Sequence, residues 1–106
     1  MATAQALANR GHSVVATDIS AFSGLEGIQA HVLDVTSDDS VARCLEDVGP
    51  LDAIVNNAGI TSGGGPVEGY PLDRFRQMFE TNTLGALRVI QAVLPAWRKR
   101  GSGVIV

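Results

Sequence analysis

The length, composition and charge of the chain restrict its class first. Its 106 residues, 45% of them hydrophobic, are enough for one small domain. A net charge of −3 offers no basic footprint for nucleic acids or anionic membranes. The single cysteine, Cys44, excludes an internal disulfide and fits a reducing compartment. No cationic leader opens the chain and no apolar run approaches ~18 residues, so we expect a soluble, cytoplasmic protein.

The chain opens with a predicted helix and a predicted strand. Ala2–Asn9 is rich in Ala and Leu, and Gly11 follows as a C-terminal cap, which predicts a short helix. Val14–Thr17 predicts a buried strand that Asp18 closes. Taken alone, Asp18 is better explained as a residue that begins a turn, since the segment Ser20–Gly27 reads as loop.

A second strand and a second helix follow. Ile28–Leu33 is an apolar segment that ends in Asp34-Val35. The run 36–39 then supplies N-caps and first-turn acids for a helix whose apolar stripe is Val41, Leu45 and Val48. Cys44 lies within this helix without a companion cysteine, so we expect a structural thiol. The two histidines, His12 and His31, lack partners at metal-ligand spacing, and we predict no metal site.

The stretch Asp52–Gly59 is the most informative part of the sequence. Ala53–Val55 predicts a buried strand, and the chain then changes within one residue to Asn56-Asn57-Ala58-Gly59. Such a change is expected where a parallel strand delivers its C-terminal end to a ligand crevice. An ordinary strand-to-turn junction is the alternative, because Asn and Gly are common turn residues. The Gly-rich segment 60–69 lacks the Lys-Ser/Thr of a phosphate-binding loop and predicts a flexible loop.

The last third of the chain predicts one long helix and a final strand. From Pro71 onward, apolar residues recur at three- and four-residue steps until Gly101. Pro95 should kink this helix. Between Leu84 and Trp97 only Arg88 and Gln91 are strongly polar, so we expect the helix to be covered on two sides. Asn82 lies among apolar neighbours, which predicts a buried amide that needs partners. The segment 103–106 begins another apolar strand.

Taken together, these motifs resemble the short-chain dehydrogenase/reductase family. The residues that carry the resemblance are Asn56-Asn57-Ala58-Gly59, Asp18 at the end of an earlier strand, Leu33-Asp34-Val35, and Asn82 in Thr81-Asn82-Thr83-Leu84-Gly85. The resemblance runs over essentially the whole chain. It implies an α/β fold, a three-layer Rossmann-type parallel sheet, and a single partial dinucleotide-binding domain over residues 1–106.

The resemblance also implies roles for individual residues. Cofactor contacts fall on the residues that follow three strands: Asp18, Ile19, Asp34, Val35, Asn57, Ala58 and Gly59. Asn82 takes a position in the catalytic tetrad, where it holds a water of a proton relay. An acidic residue at Asp18 accepts bonds from the adenosine ribose and repels a 2′-phosphate, so NAD is expected rather than NADP. The helix around Leu84–Trp97 is expected to form a homo-oligomer.

Several parts of the family pattern do not occur in the sequence. No Gly-rich turn precedes Ala2–Asn9, and no Ser or Tyr-x-x-x-Lys follows Gly103; the only tyrosine, Tyr70, has Arg74 four residues on. In the family's strand order 3-2-1-4-5-6-7, the missing first strand would lie between Val14–Asp18 and Ala53–Val55. We therefore expect an incomplete sheet, lacking its first and C-terminal strands, with two strand pairs that each keep an unpaired edge. An isolated chain of this kind is expected not to form a stable monomer, and to be an excerpt of a longer enzyme or the product of an incomplete reading frame.

Three functions follow from these expectations. The first is NAD(P)-dependent transfer of hydride between the cofactor and an alcohol or ketone in a parent protein, with this chain truncated and inactive alone. The second is a catalytically silent binding or oligomerisation module of the same fold. The third is a non-functional truncation. Neither a nucleic acid nor a membrane is expected as a partner.

Overall fold

The computed structural model of the protein describes residues 1–61 and 63–106. The described residues form four α-helices and four strands, in the order α1 (Ala2–Asn9), β1 (Val14–Asp18), β2 (Ile28–Val32), α2 (Asp38–Val48), β3 (Ala53–Ile54), α3 (Leu72–Phe79), α4 (Gly85–Arg100) and β4 (Val104–Ile105). A 3-10 turn at Val67–Gly69 precedes α3, and a π-helical turn at Glu80–Leu84 joins α3 to α4.

The strands form two separate parallel pairs, as the sequence predicts. β1 pairs with β2 from Val14 opposite Ile28 to Asp18 opposite Val32. β3 pairs with β4, with Ala53 opposite Val104. Within the described residues the two pairs belong to different sheets. The fold is therefore the expected α/β architecture of parallel strands, and it is incomplete.

Helix α1 ends in the manner that its sequence predicts. Gly11 has a φ of 88°, which a residue with a side chain rarely adopts. Its amide donates to the Ala8 carbonyl at 2.9 Å, and the His12 amide donates to the Leu7 carbonyl at 3.2 Å. This pair of bonds satisfies two of the carbonyls that a helix end leaves open. The predicted glycine cap is confirmed.

Helix α2 also begins as predicted. The Ser40 amide donates to the Ser37 hydroxyl oxygen at 3.2 Å, so Ser37 is the N-cap, and Asp38 and Asp39 occupy the first turn. Val41 and Cys44 are buried on the inner face of this helix. Val41 belongs to the core cluster, which lies between α2, α4 and β3 and consists of Val35, Val41, Ile54, Val89, Val93 and Trp97.

The strands are less buried than we predicted. In β1 only Val14 is buried, and Thr17 is exposed. In β3 only Ile54 is buried, and the strand ends one residue before Val55, which is exposed. Each strand has a hydrogen-bonded neighbour on one side only in the described part of the chain, so apolar residues that a continuous sheet would cover remain accessible.

The long helix predicted after Pro71 forms, but it is not α-helical throughout. α3, the π-helical turn and α4 follow one another without a gap in the chain, and we call residues 72–100 the helical rod. The buried residues of α4, Gly85, Val89, Val93 and Trp97, lie on one face. Leu87 remains 47% exposed, so within the described chain this helix is covered on one side and not on two.

Two further differences concern the segment before the rod and its first turns. The predicted loop 60–69 ends in the 3-10 turn rather than remaining irregular throughout, and its residue Ser62 lies outside the described residues. The apolar stripe of α3 does not pack in the core, since Leu72, Phe75 and Phe79 are each at least half exposed.

Pro95 lies inside α4, which continues to Arg100 and ends at Gly101 as predicted; the kink at Pro95 stays a prediction. In residues 1–61 and 63–106, no helix has the length and apolar content needed to cross a bilayer.

Candidate functional site

Asp18 and Asp34 lie at the same edge of the β1–β2 pair. The two strands are parallel, and the Leu33 amide donates to the Asp18 carbonyl at 2.8 Å, so the strands end side by side. Each aspartate then turns the chain in the same way. Asp18 Oδ1 accepts from the Ser20 amide at 3.1 Å, and Asp34 Oδ1 accepts from the Thr36 amide at 2.9 Å.

The hydroxyl groups of the two turns strengthen this arrangement. Thr36 Oγ1 donates to Asp34 Oδ1 at 2.7 Å, and Ser20 Oγ donates to Asp18 Oδ1 at 3.3 Å. The Thr36 hydroxyl and then its amide hold the pKa of Asp34 below its ordinary value, so this group stays an anion at neutral pH. Across the described residues, neither Oδ2 atom takes part in a hydrogen bond. Each aspartate thus keeps one carboxylate oxygen available to a ligand hydroxyl.

Val35 is fixed against the helical rod. Its side chain is buried, and a Cβ placed on Gly85 would lie only 2.6 Å from Val35 Cγ2. Glycine is therefore required at the start of α4 if the Val35 turn is to approach so closely. The position of the turn between Asp34 and α2 follows from this contact.

The segment Asn56–Gly59 lies at the C-terminal end of β3. The Asn56 amide donates to the Val106 carbonyl at 2.7 Å, which prolongs the pairing with β4 by one bond. Asn57, Ala58 and Gly59 then leave the strand and are exposed. The backbone at this strand end is therefore accessible, which suits a ligand that lies against it.

Asn82 is not buried, which corrects our expectation. It is exposed, in the middle of the π-helical turn, and its amide group pairs with the backbone of Ile60. Asn82 Oδ1 accepts from the Ile60 amide at 2.8 Å, and Nδ2 donates to the Ile60 carbonyl at 3.0 Å. The side chain therefore positions the loop after Gly59. One lone pair of Oδ1 and one hydrogen of Nδ2 remain beyond these two bonds, and the role of Asn82 in holding a water stays a prediction.

The π-helical turn is a feature that the sequence reasoning missed. Turns of this kind concentrate at functional sites, because the wider turn displaces a side chain from ordinary helical spacing. Here the turn carries Asn82, which reaches Ile60, 22 positions earlier in the sequence. Glu80, Thr81 and Thr83 surround Asn82, and this polar run within an apolar helix is the signal that could have indicated the interruption.

The contacts of Arg88 are the second feature that sequence reasoning missed. Its three guanidinium nitrogens donate to Asp38 Oδ1 at 2.6 Å, the Val35 carbonyl at 2.6 Å and Glu80 Oε1 at 2.9 Å. The bonds to Glu80 and then Asp38 raise the pKa of Arg88. The first two partners lie 50 and 53 positions away in sequence, so spacing alone could not have revealed them.

The predicted site residues therefore fall into two groups. Asp18, Ile19, Asp34 and Val35 follow the β1–β2 pair, whereas Asn57, Ala58, Gly59 and Asn82 surround the end of β3. In the part of the chain that the structure describes, the two strand pairs are not joined by a ladder of hydrogen bonds. Both groups contact the helical rod instead, one through Gly85 and Arg88 and the other through Asn82.

The family model described as short chain dehydrogenase matches residues 1–106. This chain belongs to the short-chain dehydrogenase family. Members of the family bind NAD(P) in a Rossmann-type fold and act on small molecules as oxidoreductases.

Individual relatives of this short-chain dehydrogenase chain agree with the assignment. Retinol dehydrogenase 8 of Bos taurus is 47% identical over 76 residues, which are 70% of this chain and 24% of that protein. The crystal structure of serine dehydrogenase from Escherichia coli matches with a TM-score of 0.87 and 25% identity, over 96% of this chain and 52% of that one. ElxO with NADP bound matches with a TM-score of 0.83 and 28% identity, over 96% of this chain and 47% of that one. The chain thus spans between a quarter and about half of the length of these relatives.

Proposed function

We propose that this chain forms the adenosine-side half of a dinucleotide site in an NAD(P)-dependent oxidoreductase acting on an alcohol or ketone. The observation that carries the proposal is the pair of aspartates at adjacent strand ends. Asp18 and Asp34 each bind their own turn through one carboxylate oxygen, which leaves the other oxygen for a ribose hydroxyl or an adenine amino group. When bound, the nicotinamide ring supplies the hydride chemistry, whereas the residues of this chain bind and orient.

The other predicted contacts fit a flat, extended ligand. Ile19 is 69% exposed beside Asp18 and offers an apolar surface for the adenine ring. At the second strand end, Asn57, Ala58 and Gly59 are exposed, and Asn82 holds the backbone that follows them. We propose that Asn82 positions this backbone and also holds a water of a proton relay, through the amide hydrogen and the oxygen lone pair that its two bonds leave free. The sequence contains no Tyr-x-x-x-Lys pair.

We further propose that NAD is preferred over NADP. The exposed carboxylate of Asp18 places a negative charge where a 2′-phosphate would lie, and the loop 19–27 contains no lysine or arginine to receive that phosphate. The NADP complex of the similar structure ElxO is a property of that protein.

Calorimetry with NAD and NADP tests the proposal. Wild-type protein should bind NAD saturably and NADP more weakly. Asp18→Asn keeps an oxygen for the Ser20 turn but removes the charge, so it should weaken NAD binding about tenfold and narrow the difference from NADP. Asp73→Asn is the matched control, because Asp73 is also an exposed aspartate but lies in α3 beside Arg76. A folded protein that binds neither nucleotide would refute the proposal, and equal effects of the two variants would refute the role of Asp18.

A second candidate function, association through α4, is favoured by one observation. Leu87 is 47% exposed on the side of α4 away from its buried residues, and the half-buried Leu94 lies two turns further along the same side. Analytical ultracentrifugation of wild type and Leu87→Asp, with and without NAD, measures the oligomeric state and tests this function. Association of the wild-type protein without nucleotide binding would support a silent module. A monomer under every condition would exclude it.

A further inference from the structure

The guanidinium of Arg88 joins three elements that are distant in sequence. It reaches Glu80 in the π-helical turn, Asp38 in the first turn of α2, and the backbone carbonyl of Val35. The Arg88 side chain is 22% exposed, whereas the Asp38 side chain is 88% exposed. An exposed ion pair contributes little, so the bond to the backbone of Val35 is the contact that distinguishes this arginine.

The turn that Arg88 contacts is the one that carries Asp34. Val35 is held at two points by the rod, because its side chain packs on Gly85 and its carbonyl accepts from Arg88. Moving this carbonyl would also move Asp34 and the Thr36 amide that Asp34 binds. The placement of the free carboxylate oxygen of Asp34 is therefore linked to Arg88.

The same rod segment also holds the other half of the candidate site. Asn82 binds the backbone of Ile60, and Arg88, which lies six positions after Asn82 in the rod, binds the backbone of Val35. Glu80 begins the π-helical turn that presents Asn82, and Arg88 holds the carboxylate of Glu80 at 2.9 Å. A single side chain thus contacts the turn Asp34–Thr36 and the π-helical turn. The contact with the π-helical turn is an ion pair with a Glu80 side chain that is 41% exposed, so it contributes less than the bond to the Val35 carbonyl.

We infer that Arg88 is a positioning residue of the dinucleotide site, which fixes the turn Asp34–Thr36 against the helical rod. This inference rests on the proposed function. Arginine suits the task because its planar fork reaches three acceptors at fixed angles, whereas lysine presents one compact ammonium group. The ligand affected is the adenosine part of the cofactor, since Arg88 acts through Asp34 and Val35.

Two Arg88 variants and one matched control test the inference by calorimetry with NAD, AMP and nicotinamide mononucleotide. Arg88→Met should weaken binding of NAD and of AMP by about the same factor, roughly tenfold, and leave nicotinamide mononucleotide unchanged. Arg88→Lys should lie between wild type and Arg88→Met. Arg76→Met should bind like wild type, because Arg76 makes its ion pair with Asp73 on the same rod but with both side chains largely exposed.

Backbone hydrogen exchange supplies a readout that does not depend on binding. The Thr36 amide should exchange faster in both Arg88 variants than in Arg76→Met, while amides in the middle of α4 stay protected. Wild-type affinity for AMP in a folded Arg88→Met protein, or an unchanged Thr36 amide, would overturn the inference. If Arg88→Met does not fold, Arg88→Lys decides; loss of the whole fold in both variants would show a purely structural role and also overturn it. Failure of wild type to bind NAD would refute the proposed function, and Thr36 exchange would still decide the role of Arg88.

Discussion

Gly85→Ala offers a sharp test of how the helical rod fixes the turn Asp34–Thr36. The added methyl would lie 2.6 Å from Val35 Cγ2 and 3.1 Å from Val35 Cβ. Carbon atoms in ordinary contact are about 3.5–4.0 Å apart, so Val35 or α4 must move by roughly 1 Å. Val35 is only 8% exposed and belongs to the main core cluster, so its branched side chain has little room to yield.

Two effects of opposite sign decide how much Gly85→Ala changes the free energy of unfolding. Replacing glycine by alanine within a helix stabilises it by about 1 kcal/mol. Overpacking a core costs about 1–3 kcal/mol. The overlap with a buried, branched side chain makes the second effect larger, and we expect a net loss of about 1 kcal/mol in the free energy of unfolding.

Urea unfolding of wild type, both single variants and Gly85→Ala/Val35→Ala measures this balance. Val35→Ala alone should cost about 1.5 kcal/mol, from two lost methyl groups. In the double variant the new methyl enters the vacated space, so the combined loss should fall short of the sum by at least about 0.5 kcal/mol. Gly69→Ala is the control, because none of the described residues has an atom within 4 Å of a Cβ at that position. Its effect should be neutral or slightly stabilising. Gly85→Ala as stable as this control, or strict additivity with Val35→Ala, would refute the reasoning.

Three other predictions follow from single contacts. Asn82→Ala removes both bonds to the Ile60 backbone, so it should lower the free energy of unfolding by about 1–2 kcal/mol and speed hydrogen exchange of the Ile60 amide. Asn82→Asp keeps the acceptor and should protect that amide in part. Equal exchange rates in wild type and both variants would contradict the pairing. Thr36 lowers the pKa of Asp34 in the folded protein. The stability that Asp34 contributes is therefore present at a pH above the ordinary aspartate pKa of 3.8, and it is lost as the pH falls through the lower pKa of the folded state. Thr36→Val should raise the Asp34 pKa in an NMR titration, and an unmoved pKa would exclude the hydroxyl as the main cause. Burial raises the pKa of the Cys44 thiol, so iodoacetamide should alkylate the folded protein much more slowly than the unfolded one at neutral pH, and equal rates would contradict this.

Local signals predicted the elements well. Three helix ends were predicted from sequence: the Ser37 cap of α2, the Gly11 cap of α1 and the end of α4 at Gly101. Each depends only on residues within one turn of one another, so the sequence pattern is sufficient to predict it. The order of strands and helices, and the separation into two parallel strand pairs, followed from apolar runs and the family's motifs.

Burial was the property that sequence patterns predicted least well. The apolar run around Val55 reads as a covered strand, yet Val55 is 44% exposed. The periodicity of Leu72, Phe75 and Phe79 predicts a packed stripe, yet α3 packs none of them in the core. A periodic pattern indicates which residues share a face and leaves open whether another element covers that face.

The amino-acid sequence by itself determined the family, the element order and the aspartates at the strand ends, because each depends on short runs of neighbouring residues. The tertiary structure alone decided how the two strand ends are held. Asn82 reaches Ile60, Gly85 admits Val35, and Arg88 reaches Val35 and Asp38 across gaps of 22 to 53 positions in sequence. Contacts over such gaps exist only after the rod has packed on the rest of the chain, and a π-helical turn then decides which side chains face the loops.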